Sequence, residues 1–264
     1  MYVKVLGPVE METLSGYVTT PKSVKVRSLL AYLAAYQGKA VSPSRIIEAL
    51  WSGVPPRTAS TALHVHMSKL RKFIREFGVD ADSVITTEVC GYRLDPSNCE
   101  VDIHVLEQTL EKSAQLIAMG RGEHASDTLK GAISLWRGPA FEDLRGNPTF
   151  EIIGRRVDEQ RVYACEQRFE LELQLGHHKA LIREIYSQLD RYVTQENLYE
   201  YLLIALYRSG RQVDALEAYG KLRWVLAEDL GVEPSPRLRQ LHRAILDHDP
   251  CLVGPGLPVL RADG

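Results

Sequence analysis

Cysteine is scarce: four residues in 264, at positions 90, 99, 165 and 251, with no CxxC pair. That excludes a disulfide framework or a cysteine-built metal centre and leaves isolated thiols. Long apolar runs are missing too. No stretch of eighteen apolar residues occurs, and no basic-then-apolar leader follows Met1, so neither membrane insertion nor secretion is expected and the expected address is the cytoplasm. The common catalytic signatures are lacking as well. There is no GxGxxG behind a strand, no GxxxxGK phosphate loop, no HExxH and no GxSxG, and the histidine pairs His64/His66 and His177/His178 lack the i,i+4 spacing that puts two ligands on one helical face. No enzyme, metal or cofactor is expected.

What is present is an informative stretch from Ser42 to Arg75. Ser42-Pro43 is a cap residue followed by a first-turn proline, and the helix it opens runs apolar through Ile46, Ile47, Ala49 and Leu50 to Trp51. Ser52-Gly53-Val54-Pro55-Pro56 stops it. Beyond Arg57, Ala59, Leu63, Met67, Leu70 and Ile74 recur every three or four residues as a core stripe. Thr61, His64, Val65, Ser68 and Lys72 fall on the opposite face, flanked by Lys69, Arg71 and Arg75. Small polar and basic side chains opposite a buried stripe suit a helix that must fit between phosphate walls and offer donors to base edges. A solvated surface helix has the same pattern.

Two short β-prone runs follow, Val84 to Thr87 and Cys90 to Leu94, around a tight connection at Glu88-Val89. Two such helices followed by a hairpin make a winged helix-turn-helix. The charge distribution agrees. The chain carries −2 overall, but residues 1 to 77 hold 11 Lys+Arg against 4 Asp+Glu, a balance of +7. Up to Leu94 the count is 12 against 7, or +5, and the remainder holds 20 against 27, or −7. A local basic excess is what displacing counterions from phosphates requires.

Before the helix pair, Tyr2 to Leu6 and Val9 to Tyr17 suggest a small antiparallel β element, and a helix over about 22 to 37 supplies the third helix of a winged domain. The composition changes at Asp95 to Asp102, where the domain boundary is expected. Helices are then expected at about 101–119, 123–136, 149–175, 178–190, 195–209, 212–230 and 236–247. Leu175-Gly176-His177-His178 and Ser209-Gly210-Arg211-Gln212 are 34 residues apart, the tetratricopeptide period. Stacked antiparallel helix pairs bury one face and leave a surface for a partner. The fold class is therefore mainly α: a winged helix-turn-helix over 1–95, a tetratricopeptide-like all-α domain over 101–250 and a loose tail over 251–264.

These residues resemble the SARP family of bacterial pathway-specific transcriptional activators, named for antibiotic regulatory proteins. The resemblance runs from Val3 to about Pro250. It is carried by Ser42 to Trp51, Ala62 to Lys72, Gly91-Tyr92-Arg93-Leu94, Leu135 to Ala140, Ala205 to Tyr219, Val225 to Pro234 and Leu241 to Leu246, in order. It implies an OmpR-type winged helix joined to a bacterial transcriptional activation domain.

By position, the resemblance makes Thr61, His64, Val65, Ser68, Lys69 and Lys72 the major-groove set and Ser42, Trp51, His66, Arg71 and Tyr92 the phosphate set, core packing being the alternative for Trp51 and His66, with Thr87 and Arg93 on the wing. Ser68 and Lys69 stand where relatives often carry arginines, so base choice does not transfer. Glu88 at the wing tip, where an arginine is common, argues against minor-groove readout. Gly53, Val54, Pro55 and Pro56, between the two helices, are candidate polymerase contacts. The implied partners are double-stranded promoter DNA with direct repeats, RNA polymerase including its sigma subunit, and further copies of the chain on DNA, at an antibiotic or other secondary-metabolite gene cluster. The alternative is a helical-repeat scaffold that binds protein only.

Overall fold

The computed structural model describes residues 1–13, 15–190, 193–255, 257 and 258. Packing divides it into two compact units, Met1–Glu111 with Gly131–Val162, and Lys112–Lys130 with Tyr163 onward.

In the first unit, β1 (Tyr2–Lys4) pairs antiparallel with β2 (Glu10–Glu12), which pairs antiparallel with β3 (Val18–Thr19). Three helices follow: α1 (Val24–Ala35), α2 (Pro43–Trp51) and α3 (Ala59–Arg75). Ser42 caps α2 by accepting from the Arg45 amide at 3.4 Å, and Ser52 ends it in the left-handed conformation. A short α4 (Ala81–Val84) leads into the hairpin of β4 (Ile85–Glu88) and β5 (Gly91–Leu94), in which Thr87 faces Tyr92. The α3 stripe is buried as its spacing requires: Leu63, Met67, Leu70 and Ile74 are at most 2% exposed. Burying each of these contributes about 1.5–3 kcal/mol, which fixes the opposite face outward.

The composition break at 95 to 102 is not where the packing divides. β6 (Glu100–Val101) adds to the N-terminal sheet parallel to β1, giving the order β3-β2-β1-β6. Asp102, 1% exposed, accepts the amides of Val5 and Leu6 at 2.8 to 2.9 Å. Further on, the backbone of Arg137 donates to Leu6 and that of Phe141 to Val5, each at 2.8 Å. The Leu135 to Ala140 motif therefore docks against the chain leaving β1, and Phe141 and Phe150 join the same core. A backbone edge that recruits residues a hundred positions away leaves no periodic signal.

Helices α5 (Asp102–Ala118), α6 (Gly122–Ser134) and α7 (Pro148–Gln174) follow the hairpin. The second unit contains α8 (His178–Leu189), α9 (Glu196–Arg208), α10 (Gln212–Val225) and α11 (Pro236–Leu246). α9 is buried continuously from Leu198 to Leu206, the pattern of a central helix. The 34-residue repeat is present in the backbone: after α7 the amide of His177 bonds Glu172 O and that of Gly176 bonds Leu173 O, and after α9 Arg211 bonds Leu206 O and Gly210 bonds Tyr207 O. Gly176 and Gly210 have φ of +81° and +76°, which closes each helix and reverses the chain.

Two expectations are corrected. The helix expected to run to 230 ends at Val225 and continues as a π-helical turn, Leu226–Leu230. The start of the expected tail is ordered: Asp249 caps a 3-10 turn, Pro250–Val253, Leu252 is 1% exposed, and Arg208 Nε donates to its carbonyl at 2.7 Å. A single buried leucine anchors this segment. Gly256 and residues 259–264 of that tail lie outside the described residues.

Candidate nucleic-acid interface

α3 is 17 residues long and presents Thr61, His64, Val65, Ser68, Lys69 and Lys72 to solvent as one outward strip, with Val65 46% exposed. A helix of this length spans about 25 Å, enough to lie along a major groove about 12 Å wide. Arg57 and Arg75 are exposed at its two ends. None of the strip is packed beneath other described residues of its unit.

The phosphate set is more divided. Ser42 is half-buried at the start of α2, its hydroxyl 3.0 Å from that of Ser44. Trp51 lies half-buried between Lys25, whose ammonium sits 5.1 Å from the ring centroid, and His66, whose ring is 5.9 Å away at 40°. Lys25 also donates to the Leu50 carbonyl at the end of α2. Burial, then the charges of Lys69 and Lys25, push the His66 imidazole below its ordinary pKa, and its Nδ1 is buried without a partner. His66 thus packs its ring on Trp51, in surroundings that disfavour the charged imidazolium.

Arg71 is held within its own unit. Its Nη2 donates to Ile85 O at 3.0 Å and Thr87 Oγ1 at 2.9 Å, and Nε lies 3.3 Å from Asp82. The guanidinium ties α3 to the first hairpin strand because a long side chain one turn from the helix end meets carbonyls before it meets solvent. Tyr92 is buried, 7% exposed, and its hydroxyl lies 3.3 Å from His64 Nδ1. On the wing, Arg93 Nε pairs with Glu88 at 2.8 Å, so each neutralises the other, while Val89 at the tip stands free in solvent. Thr87 is exposed but engaged by Arg71. Gly53, Val54, Pro55 and Pro56 are all exposed, Val54 at 82%.

Sequence reasoning missed Lys25. It is 26 positions from Trp51, on a helix whose apolar side was the only signal read, and no local spacing pairs the two.

Residues 19–94 match the family described as "Transcriptional regulatory protein, C terminal", and residues 101–246 match "Bacterial transcriptional activator domain". Regulatory protein DnrI of Streptomyces peucetius is 34% identical over 265 residues, covering 98% of this chain and 97% of its own. The chain belongs to the SARP family of transcriptional regulators. A second relative, transcriptional regulatory protein EmbR of Mycobacterium tuberculosis, is 36% identical over 93% of the chain, which spans 63% of EmbR. Regulatory protein AfsR of Streptomyces coelicolor is 32% identical over 94% of the chain, which spans 24% of AfsR. A solved structure, "Mycobacterium tuberculosis EmbR in complex with low affinity phosphopeptide", superposes with a TM-score of 0.83 at 34% identity, covering 94% of this chain and 65% of that one. A SARP regulator is a DNA-binding transcriptional activator and not an enzyme, and its winged-helix and helical activation parts are those described above. No helix among the described residues is long and apolar enough to cross a membrane.

Proposed function

We infer that this SARP regulator lays the outward face of α3 in the major groove of direct repeats upstream of a weak promoter, several copies side by side, and holds RNA polymerase there. The contact includes the sigma subunit. The regulated genes form an antibiotic or other secondary-metabolite cluster, and the protein works in the cytoplasm on the nucleoid. Thr61, His64, Val65 and Ser68 meet base edges. Lys69 and Lys72 meet the groove wall, Ser42 and Trp51 meet phosphate, and the loop Gly53 to Pro56 offers Val54 to polymerase.

The observation that carries this reading is the exposed strip on α3, fixed outward by Leu63, Met67, Leu70 and Ile74 behind it. Recruitment makes and breaks no covalent bond. A few kcal/mol of protein contact raises promoter occupancy by one or two decades, since about 1.4 kcal/mol is tenfold. The test is an anisotropy titration on the chain's own upstream DNA as a function of salt. Lys72→Glu is expected to weaken binding at least tenfold and to lower the salt slope by about 1, with the fold intact. Wild-type protein without salt-dependent DNA binding would instead support a scaffold that binds protein only.

A further inference from the structure

The outward strip of α3 contains one ring whose hydrogen-bonding role is set from behind. His64 is exposed, but its Nδ1 is 3.3 Å from the hydroxyl of Tyr92, a residue of β5 that is 7% exposed. The Tyr92 backbone is itself fixed. Its N–H donates to Val41 O at 3.0 Å and its carbonyl accepts from Val41 N at 2.8 Å, so β5 is bridged to the residue before the cap of α2. The Tyr92 hydroxyl has His64 Nδ1 as its one hydrogen-bond partner among the described residues, and a phenol that donates there makes Nδ1 the acceptor. With Nδ1 accepting, the imidazole hydrogen sits on Nε2, the nitrogen left for the groove. An imidazolium would present a hydrogen on Nε2 as well.

We propose that Tyr92 is a positioning residue that fixes the His64 tautomer, making His64 a hydrogen-bond donor and so selecting an acceptor on the base edge it meets: guanine N7 or O6, adenine N7, or thymine O4. The amino group of cytosine, a donor, is rejected at that position. This rests on the reading of α3 as the groove helix and adds what one of its residues recognises. It also changes the expected role of Tyr92 from phosphate contact to selector.

The experiment measures affinities of wild type, His64→Ala, Tyr92→Phe and the double variant for the upstream DNA and for every single base-pair change in one repeat. Wild type is expected to disfavour a cytosine at one position roughly 3- to 10-fold. Tyr92→Phe is expected to lose that preference at the same position, with the double variant no worse than His64→Ala. A uniform loss across all sequences in Tyr92→Phe, or an unchanged preference, would overturn the proposal. His64→Ala without effect on any sequence would also overturn the proposal, whereas Lys72→Glu without effect on DNA binding would count against the placement of α3 itself, a separate failure. Nitrogen-15 imidazole spectra of the wild-type protein give a second readout that needs no variant. A hydrogen on Nε2 and a lone pair on Nδ1 support the assignment, and the reverse tautomer contradicts it.

Discussion

Gly91 lies so close to the carbonyl oxygen of Val41 that a side-chain carbon on it would overlap that atom. Its φ of +149° is a second reason for glycine, since L side chains rarely adopt it. This contact brings the second hairpin strand onto the residue preceding the cap of α2, and so sets where Tyr92 stands behind α3.

Gly91→Ala is expected to cost about 3 kcal/mol or more, because overlap with backbone and an unfavourable φ act together. Chemical denaturation should show the loss, and DNA affinity at a temperature where the variant is still folded should fall with it. Wild-type stability in this variant would mean the strand and the α2 cap are not in the contact described.

Arg71→Ala separates an internal tether from a phosphate contact. Loss of the bonds to Ile85 O and Thr87 is expected to lower stability by about 1–2 kcal/mol while leaving the salt dependence of DNA binding unchanged. A salt slope reduced by about 1 with no loss of stability would assign Arg71 to phosphate instead.

Asp102 gives a pH signature. Burial pushes its carboxyl up to about 6 from an ordinary 3.8, against the pull of the Leu6 and Val5 amides and Arg137. The folded chain therefore holds the proton more tightly than the unfolded one. The stability Asp102 contributes is full below the ordinary value and is lost as the pH rises through about 6, by an amount on the order of 3 kcal/mol. The advantage of wild type over Asp102→Asn in thermal unfolding should shrink from about pH 4 to about pH 8. An advantage that grows with pH would mean the amides outweigh burial.

Much of the helical part was legible because periodicity survives in sequence: Leu63 to Ile74 announced both the buried side of α3 and its outward strip, and the turns at Gly176 and Gly210 announced the repeat. The hairpin was legible from two short β-prone runs. What was hidden came from backbone edges and from long side chains. β6 beside β1, Asp102 beneath Val5 and Leu6, and the docking of Arg137 and Phe141 join residues about a hundred or more positions apart through main-chain groups on at least one side, which carry no sequence signal. Within the candidate interface, the exposed positions followed from helix geometry. The inward turns of Arg71 and Tyr92 did not, since a flexible or aromatic side chain beside a strand takes whichever partner the fold brings to it.

Methylation interference on the chain's own upstream DNA tests the groove assignment most directly, because a methyl group on guanine N7 projects into the major groove and one on adenine N3 into the minor. Interference at N7 in a short sequence repeated at a fixed spacing, weakened in Lys72→Glu, is the expected result. Interference confined to adenine N3, or none at any base, would contradict the placement of Thr61, His64 and Ser68 against base edges.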